Sequence, residues 1–548
     1  MKKNIIIMMA LICASCTDFV NDYYPAGILT DEKYWKSDQD FINAIDPIYY
    51  HLCTGDANLF GRNLFYEIGI CGDDMISGGK GGDNTRSDKL YNFSMDGRHE
   101  VIKSNNTRCI EVIAKANWYI YTLVSTLGES NLSPVAKRTL GEAYWLRAYA
   151  HFLYTYRMGR ADNGVPFDRY EDYNPYAYGI PVQRATVMEN YDLIIQDLKK
   201  AEALLPFFKE YGEANWGRTH KAAVWALMVK TYAWWAAHDP SKWDLIPPLV
   251  DKIENEGERR LLDSFHDLFT VEKGNWSAED IYSINGSSET CPTNYTPVVF
   301  PPNTGWNNAY NTWGGLKPTL ELYEEFEPGD ERRIVTMLAY GDNVTWFGRE
   351  FPFYEKENDP SGFMFAKYYD PFRYGTIENG KGISPYVSQA NDGRTDQNIP
   401  LFRFAEMLLF KAEALIEQGK GPEAAQVLNR ITSRAGLGDK YTNATMADLM
   451  HERRCELACE YSDRFGDLRR WCLTDDANHR ALALQKLNGT KHVRQYEDRT
   501  NPTSNFTVVE VARGANRVFD PEVHIVMPYD PDDILKADGK LKQNKGYY

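Results

Sequence analysis

Apolar residues recur three and four positions apart along most of the chain, and this spacing predicts amphipathic α-helices. Ala is frequent at positions where neighbouring helices would approach closely, and Gly, Pro or polar residues separate the apolar segments. The pattern predicts an all-α dominated fold. Its long helices are expected over residues 105–126, 134–159, 191–206, 219–238, 401–420, 422–436 and 446–465.

Several of these segments carry signals at their ends. Ser133 followed by Pro134 is typical of an N-cap and the first helical position, and Gly159 predicts the end of the same helix. Pro206 predicts the end of the following helix, and Thr219 predicts the N-cap of the next.

The helices are arranged in pairs. Residues 411–431 have the sequence KAEALIEQGKGPEAAQVLNRI, which is typical of the turn in a tetratricopeptide helix pair. Such repeats are ~34 residues long, and each buries its apolar face only by stacking on the next. The repeats here are irregular, so we predict a tetratricopeptide-like scaffold rather than a strict repeat array.

Two stretches interrupt the helical pattern. Residues 274–398 are rich in Gly, Asn, Pro, Trp and Tyr, and residues 71–97 form a shorter loop-rich stretch. Long irregular segments inside a compact domain are usually functional. We therefore predict one domain over residues 16–548. Its helical scaffold covers about 35–270 and 399–475, its loop-rich ligand-binding insertion about 274–398, and its loop-rich C-terminal tail 476–548.

Residues 1–15 are predicted to be an export signal. Lys2 and Lys3 give a short basic start, residues 5–12 are apolar but too few to span a bilayer, and small residues precede Cys16. This order is typical of a bacterial lipoprotein signal, in which Cys16 would be acylated. Cys13 stands where such signals usually carry Leu, and an ordinary secretory peptide is the alternative.

Charge and cysteine content limit the classes of function. The formal net charge of −16 opposes nucleic-acid binding, which needs a basic face. The seven cysteines after Cys16 are scattered and contain no C-x-x-C pair, so neither a disulfide scaffold nor a zinc site is expected. Asp73, Asp74 and Asp83 could hold calcium, but without regular ligand spacing we predict no metal and no cofactor.

Glu452, Glu456 and Glu460 would form one stripe on the predicted helix 446–465. Paired carboxylates can hydrolyse glycosidic bonds. The alternative is that they pair with Arg453, Arg464, Arg469 and neighbouring helices, because nearby arginines lower a carboxylate pKa and oppose general-acid catalysis. We favour the structural role, and the same role for Glu142, Arg147, Arg403 and Glu406.

The aromatic loop residues are better candidates for function. Trp306, Tyr310 and Trp313 stand among Gly and Asn residues in the insertion. A pyranose ring presents an apolar face, which an aromatic plane can cover, and hydroxyls, which amide and charged side chains can bind. The alternative is that these rings anchor the loop to the scaffold. The remaining predicted ligand-binding residues are Trp276, Tyr295, Trp346, Asp73, Asp74, Asn84 and Arg86.

Six segments together resemble the SusD/RagB family of nutrient-binding outer-membrane lipoproteins, and their order spans most of the chain. They are Glu142–Tyr149 with Gly164–Pro166, Tyr191–Pro206, Gly217–Thr219, Arg403–Leu409 with Ala412–Ala414, Glu452–Glu460 with Arg464–Trp471, and Val526–Pro528 with Lys542–Tyr547. Cys459, Gly466 and Tyr529 depart from the family pattern.

The resemblance implies a right-handed tetratricopeptide-type scaffold with a loop-rich ligand face, anchored by lipid at the cell surface. It also implies a partner, a SusC-type TonB-dependent outer-membrane barrel, and a ligand that is mainly an oligosaccharide. A peptide-capturing member of the same family and a surface glycosidase on an all-helical scaffold remain the alternatives.

Overall fold

The computed structural model describes residues 35–53, 59–78, 84–167, 186–290, 314–355, 361–389, 394–511 and 517–547. Helices dominate these ranges, which confirms the predicted fold class. The helices are α1 (Asp38–Cys53), α2 (Arg62–Cys71), α3 (Asn84–Tyr91), α4 (Glu100–Leu127), α5 (Pro134–Met158), α6 (Val187–Leu204), α7 (Lys221–Ala236), α8 (Ile246–Asn255), α9 (Val271–Gly274), α10 (Leu320–Glu325), α11 (Arg332–Thr336), α12 (Phe404–Glu417), α13 (Gly421–Arg434), α14 (Met446–Leu457), α15 (Arg464–Leu473), α16 (Ala477–Leu487) and α17 (Pro531–Lys536).

Helices α4 to α8 pack against one another in chain order, and α12 packs against α13 in the same way. Local signals set most of their ends. The Ser133 hydroxyl accepts a hydrogen bond from the Ala136 amide at 3.1 Å with Pro134 in the first turn, as predicted. The start of helix α7 differs from the prediction. His220 occupies its N-cap position, and the Thr219 side chain instead contacts the Tyr49 hydroxyl at 3.1 Å.

Short antiparallel strand pairs fill much of the region between α9 and α12. The strands are β1 (Met75–Ser77), β2 (Asp280–Ile284), β3 (Leu316–Pro318), β4 (Met337–Ala339), β5 (Asn343–Trp346), β6 (Arg349–Pro352), β7 (Phe363–Phe365), β8 (Thr376–Glu378), β9 (Lys381–Ile383), β10 (Ile399–Arg403), β11 (His492–Tyr496) and β12 (Phe506–Glu510). The pairs are β1–β3, β2–β10, β4–β7, β5–β6, β8–β9 and β11–β12. Because β2 pairs with β10, the two ends of the insertion meet at the scaffold.

The predicted helix 446–465 is two helices. Helix α14 ends at Leu457, and both Cys459 and Asp463 have left-handed backbone, with φ of 66° and 64°. The Asp463 carboxylate then caps α15 by accepting from the Gly466 amide at 2.7 Å. A Cβ at position 466 would lie 2.6 Å from Asp463 Oδ2, so a side chain there would displace this capping carboxylate. Glu460 therefore lies beyond the helix that carries Glu452 and Glu456.

The ion pairs predicted for these glutamates are confirmed, and so is the expectation that neighbouring helices supply partners, but the three arginines named from the sequence were wrong. Glu452 pairs with Arg332 at 2.9 Å, Glu456 with Arg403 at 2.5 Å, and Glu460 with Arg403 at 2.7 Å. Arg434 also pairs with Glu456, and Lys367 pairs with Glu460. Arg453, Arg464 and Arg469 bind elsewhere: Arg453 to Asp467, Arg464 to Asp73, and Arg469 to backbone carbonyls.

The other predicted scaffold pairs also form. Arg147 donates to both carboxylate oxygens of Asp197, at 2.7 and 2.6 Å. Glu142 accepts from Arg218 at 3.1 Å, and Glu406 accepts from Lys230 at 2.6 Å. The Arg147–Asp197 and Lys230–Glu406 pairs each join two scaffold helices, and the Glu142–Arg218 pair joins α5 to the loop before α7.

The cysteines described by the structure form no disulfide and are buried: Cys71, Cys109, Cys455, Cys459 and Cys472. None of the helices described here is long and apolar enough to cross a membrane. Within the same ranges, no group of three His, Cys, Asp or Glu side chains is placed to hold a metal ion.

Candidate functional site

A groove of about 340 Å³ opens beside the point where the described chain stops at residue 290. Helix α1 contributes Asp46, Tyr49 and Leu52 to one wall, and the loop before α7 contributes Gly217 and Arg218. The opposite wall is the end of β2 and the segment after it, over residues 282–287, with Thr290 at the rim.

The base of the groove is held rigidly. Arg218 donates to Asp46 at 2.8 Å and to Glu142 at 3.1 Å, and its guanidinium lies 5.7 Å from the centre of the Tyr49 ring. Burial and the Glu142 charge raise the pKa of the Tyr49 hydroxyl well above its usual value, so this phenol stays neutral. The groove therefore offers an aromatic surface beside a set of paired charges.

Polar groups line the β2 wall. The Asn285 amide forms no hydrogen bond with the described residues and is half-buried at the groove. Its Nδ2 atom would lie 2.0 Å from a Cβ at position 217, so only glycine at 217 lets the amide sit there. Ser283 and Ser287 add hydroxyls. Amides and hydroxyls of this kind can bind sugar hydroxyls.

Two tryptophans form a ridge next to the groove. The rings of Trp216 and Trp276 lie 5.6 Å apart at an angle of 52°, and both side chains are half-buried. Trp276 has a φ of 53°, and its Nε1 atom is buried without an acceptor. A narrow cleft under the pair shares Gly217, Arg218 and Asn285 with the groove. The sequence-predicted residue Trp276 is thus placed where a ligand in the groove could reach it.

The structure also brings the two predicted ligand loops to one place. Strand β1, in the stretch 71–97, pairs with β3, which follows residue 313, and the Gly78 amide donates to the Gly315 carbonyl at 3.0 Å. Lys491 holds the base of β1 by donating to the carbonyls of Ile70 and Met75 at 2.8 and 2.7 Å. Thr290, which precedes residues 291–313, therefore lies at the groove, and Gly315, which follows them, lies beside the earlier loop.

Asp73 and Asp74 belong to a buried ion-pair cluster and do not line the groove. Arg464 donates to Asp73 at 2.8 Å, and Arg454 donates to Asp74 at 2.8 Å. Burial raises the pKa of Asp73, but Arg454 and Arg464 outweigh it and hold that pKa far below its usual range. Their carboxylates are already occupied, and this geometry does not place them against a ligand.

Two other predicted positions have different surroundings. Arg86 pairs with Glu100 at 2.9 Å and lies over the Tyr66 ring, 5.5 Å from its centre. Trp346 is fully buried and stacks on Phe372 with ring centres 4.9 Å apart. In this conformation the Trp346 ring has no free face for a sugar, because its planes are used in core packing.

Trp306, Tyr310, Trp313 and Tyr295 lie outside the described residues, as do Cys16, Asp83 and the Asn84 side chain. The structure adds residues that the sequence did not single out as ligand contacts, namely Tyr49, Trp216, Arg218 and Asn285. Gly217-Arg218-Thr219 was apparent as a motif, but its position opposite α1 and β2 depends on the packing of distant segments.

Two family models match the chain. One, described as the SusD family, matches residues 278–547, and one described as starch-binding and associating with the outer membrane matches residues 78–233. A SusD-like protein from Bacteroides ovatus is 24% identical over 496 residues, which cover 86% of this chain and 82% of that protein.

Solved structures share the fold. Surface glycan-binding protein A from Bacteroides fluxus superposes with a TM-score of 0.70 at 22% identity, over 93% of this chain and 100% of its own. Surface glycan-binding protein A from Bacteroides thetaiotaomicron, in complex with laminarihexaose, gives a TM-score of 0.64 at 20% identity over the same shares.

Proposed function

We infer the function from one premise: the chain belongs to the SusD/RagB family. We propose that it is a non-enzymatic, cell-surface lipoprotein that captures oligosaccharides and delivers them to a SusC-type TonB-dependent outer-membrane barrel. The observation that carries the proposal is the Trp216–Trp276 ridge beside a groove lined with amide and hydroxyl groups.

The chemistry of the groove fits a sugar. Its aromatic groups can cover the apolar face of a pyranose, while Asn285, Ser283 and Ser287 can reach the hydroxyl edge. Thr290 lines this groove and precedes the segment with Trp306, Tyr310 and Trp313 in the sequence, so we propose that those rings extend the same binding surface. A relative of the same fold was solved with laminarihexaose, which supports a glycan as the ligand class.

The stripe of glutamates at 452, 456 and 460 could suggest a glycosidase, but the pKa of Glu456 favours a binding protein instead. Burial raises the pKa of Glu456, but Arg434, Arg403 and Arg332 outweigh it and hold that pKa well below its usual value. A general acid needs the opposite shift. The proposed role for these residues is therefore to hold the scaffold that presents the groove.

Location at the outer membrane rests on the N-terminal pattern ending in Cys16 and on a family model described as associating with that membrane. We propose that acylation at Cys16 provides the anchor. The barrel partner is proposed from family membership.

The test is a binding screen with the chain lacking residues 1–16, on immobilised glycans and peptides, with release of new reducing ends measured in parallel. We expect binding to at least one glycan class and no new reducing ends. Binding only to peptides would favour the peptide-capturing alternative, and turnover would favour the glycosidase. Binding to neither glycans nor peptides would overturn the proposal.

A further inference from the structure

Buried arginines in this protein follow a common arrangement. In several of them the edge formed by Nε and Nη2 donates two hydrogen bonds to one carboxylate, at distances between 2.5 and 3.2 Å. This side-on geometry is strong and specific, because the fork of the guanidinium matches the two carboxylate oxygens. The pairs are Arg147 with Asp197, Arg157 with Glu67, Arg403 with Glu460, and Arg464 with Asp73.

Arg259 departs from this arrangement. Its side chain is buried, with 5% exposed, and Nη1 donates to the carbonyls of Ser277 and Asp280 at 3.2 and 3.0 Å. Nε is buried without an acceptor, and Nη2 donates to none of the described residues. No ion pair within 4.0 Å joins Arg259 to a carboxylate in those residues, so its Nε–Nη2 edge has no partner.

Other buried arginines that are not paired with a carboxylate have guanidinium groups that bind backbone carbonyls or pack against aromatic rings. Arg517 donates to five backbone carbonyls, among them those of Cys71 and Gly72. Arg469 is packed against the Phe465 ring, 4.6 Å from its centre, and lies near two further rings. Arg259, in contrast, lines a cavity of about 190 Å³, which is roughly six times the volume of a water molecule.

The walls of this cavity suit a charged sugar. Trp276 lines it on one side and Phe208 on another, and the Arg259 guanidinium lies 4.5 Å from the centre of the Phe208 ring. At the mouth, Lys209 and Glu258 are both more than half exposed and pair with each other, so their charges largely cancel. Glu256 is an exposed negative charge, and Asp280 is buried behind the cavity and accepts from Ser283. Arg259 is therefore the buried cation of this lining, and it lies beside Trp276, which also lines the narrow cleft next to the groove.

We propose that this cavity is a subsite for a negatively charged substituent of the captured glycan, a uronic acid carboxylate or a sulfate ester, bound by Nη2 of Arg259 next to Trp276. The ligand supplies the acceptor that the chain itself supplies to its other buried arginines. This inference rests on the proposed glycan-binding function and names a ligand class for it.

The experiment compares three glycan probes by calorimetry at low salt, using the chain without residues 1–16. The probes are an oligogalacturonate, a sulfated galactan oligosaccharide and neutral laminarihexaose, and the two charged probes are also used after carboxyl reduction or desulfation. We expect at least one charged probe to bind about tenfold more tightly than its neutralised form. This difference should be lost in Arg259→Gln and kept in Arg260→Gln, a matched control on the exposed neighbouring residue.

The two charged probes distinguish the two ligand classes, because the oligogalacturonate carries carboxylates and the galactan oligosaccharide carries sulfate esters. Equal affinity for charged and neutralised probes would overturn the subsite and leave glycan capture intact, whereas failure to bind any glycan in the broader screen would overturn glycan capture itself. A preference for the charged probe that is unchanged in Arg259→Gln would also overturn the subsite. If Arg259→Gln does not fold, two other variants test the subsite. Lys209→Gln should weaken binding of the charged probe severalfold, and Glu258→Gln should strengthen it severalfold. The subsite is overturned if binding is unchanged in both variants.

Discussion

The Nη1 atom of Arg403 lies 2.5 Å from Oε1 of Glu456, and both side chains are almost completely buried. Arg403 belongs to β10 and Glu456 to α14, so this pair joins α14 to the strand that pairs with β2 of the insertion. Glu279 and Arg434 also contact the pair, which makes it the centre of a charged network.

We expect Glu456→Ala to destabilise the fold by ~3–5 kcal/mol, because it leaves buried guanidinium groups without an acceptor. Glu460→Ala should lose a comparable amount, since Arg403 and Lys367 both depend on it. Urea denaturation would measure the free energy of unfolding, with exposed Glu423→Ala as the control. A Glu456→Ala protein with native stability and no glycan binding would place this carboxylate in the ligand site instead.

The contribution of Glu456 to the free energy of unfolding should decrease as the pH falls. Its folded-state pKa is depressed below the ordinary value of 4.5, so the ionised form is favoured by folding. The stabilisation is therefore fully present above pH ~4.5 and decreases as the pH falls further. The difference in unfolding free energy between the wild-type chain and Glu456→Gln should shrink between pH 5 and pH 3, as measured by urea denaturation at each pH. A difference that grew on acidification would contradict the assigned ion pairs.

Trp216→Ala and Trp276→Ala should each weaken glycan binding about tenfold, or ~1.4 kcal/mol, because each removes an aromatic face beside the groove. Calorimetry with the glycan found in the screen would measure this loss. Trp235→Ala is the matched control, since Trp235 is also half-buried but lies on α7 against Tyr232. Equal affinity in both ridge variants would move the site away from this groove.

Trp306→Ala and Trp313→Ala should also reduce glycan affinity, with little change in melting temperature. The reason is that a stacking ring buries much apolar area at a small entropic cost. Binding and thermal melting measured on the same samples separate the possibilities. Early melting in both variants would show that these rings anchor the loop, and unchanged affinity would leave the groove and the Trp216–Trp276 ridge as the main site.

Cys16→Ala should move the protein from the membrane fraction to the soluble fraction, because acyl chains at this residue are the proposed anchor. Fractionation should be done in cells lacking the partner barrel, so that protein contacts do not retain the variant. Membrane retention that persists under those conditions would refute lipidation at Cys16.

The sequence was sufficient wherever local chemistry controls the structure. Ser133 and Pro134 determine the start of α5, because a hydroxyl and a preset φ act on the next few residues only. Periodic apolar positions predicted the long helices for the same reason. The charged character of Glu452, Glu456 and Glu460 predicted that they would be paired, since buried carboxylates require partners.

Tertiary structure decided which groups meet. The partners of Glu456 come from β10, α11 and α13, and spacing within one helix could not identify them. The same holds for the groove, where Tyr49, Arg218 and Asn285 come from three distant segments, and for Trp346, whose burial depends on Phe372. Helical periodicity did not reveal the break after Leu457, because Cys459 and Asp463 adopt left-handed backbone only in their packed surroundings. Burial and long-range pairing are properties of the folded chain, so sequence patterns indicate the kind of residue a site needs but not which residues the fold brings together.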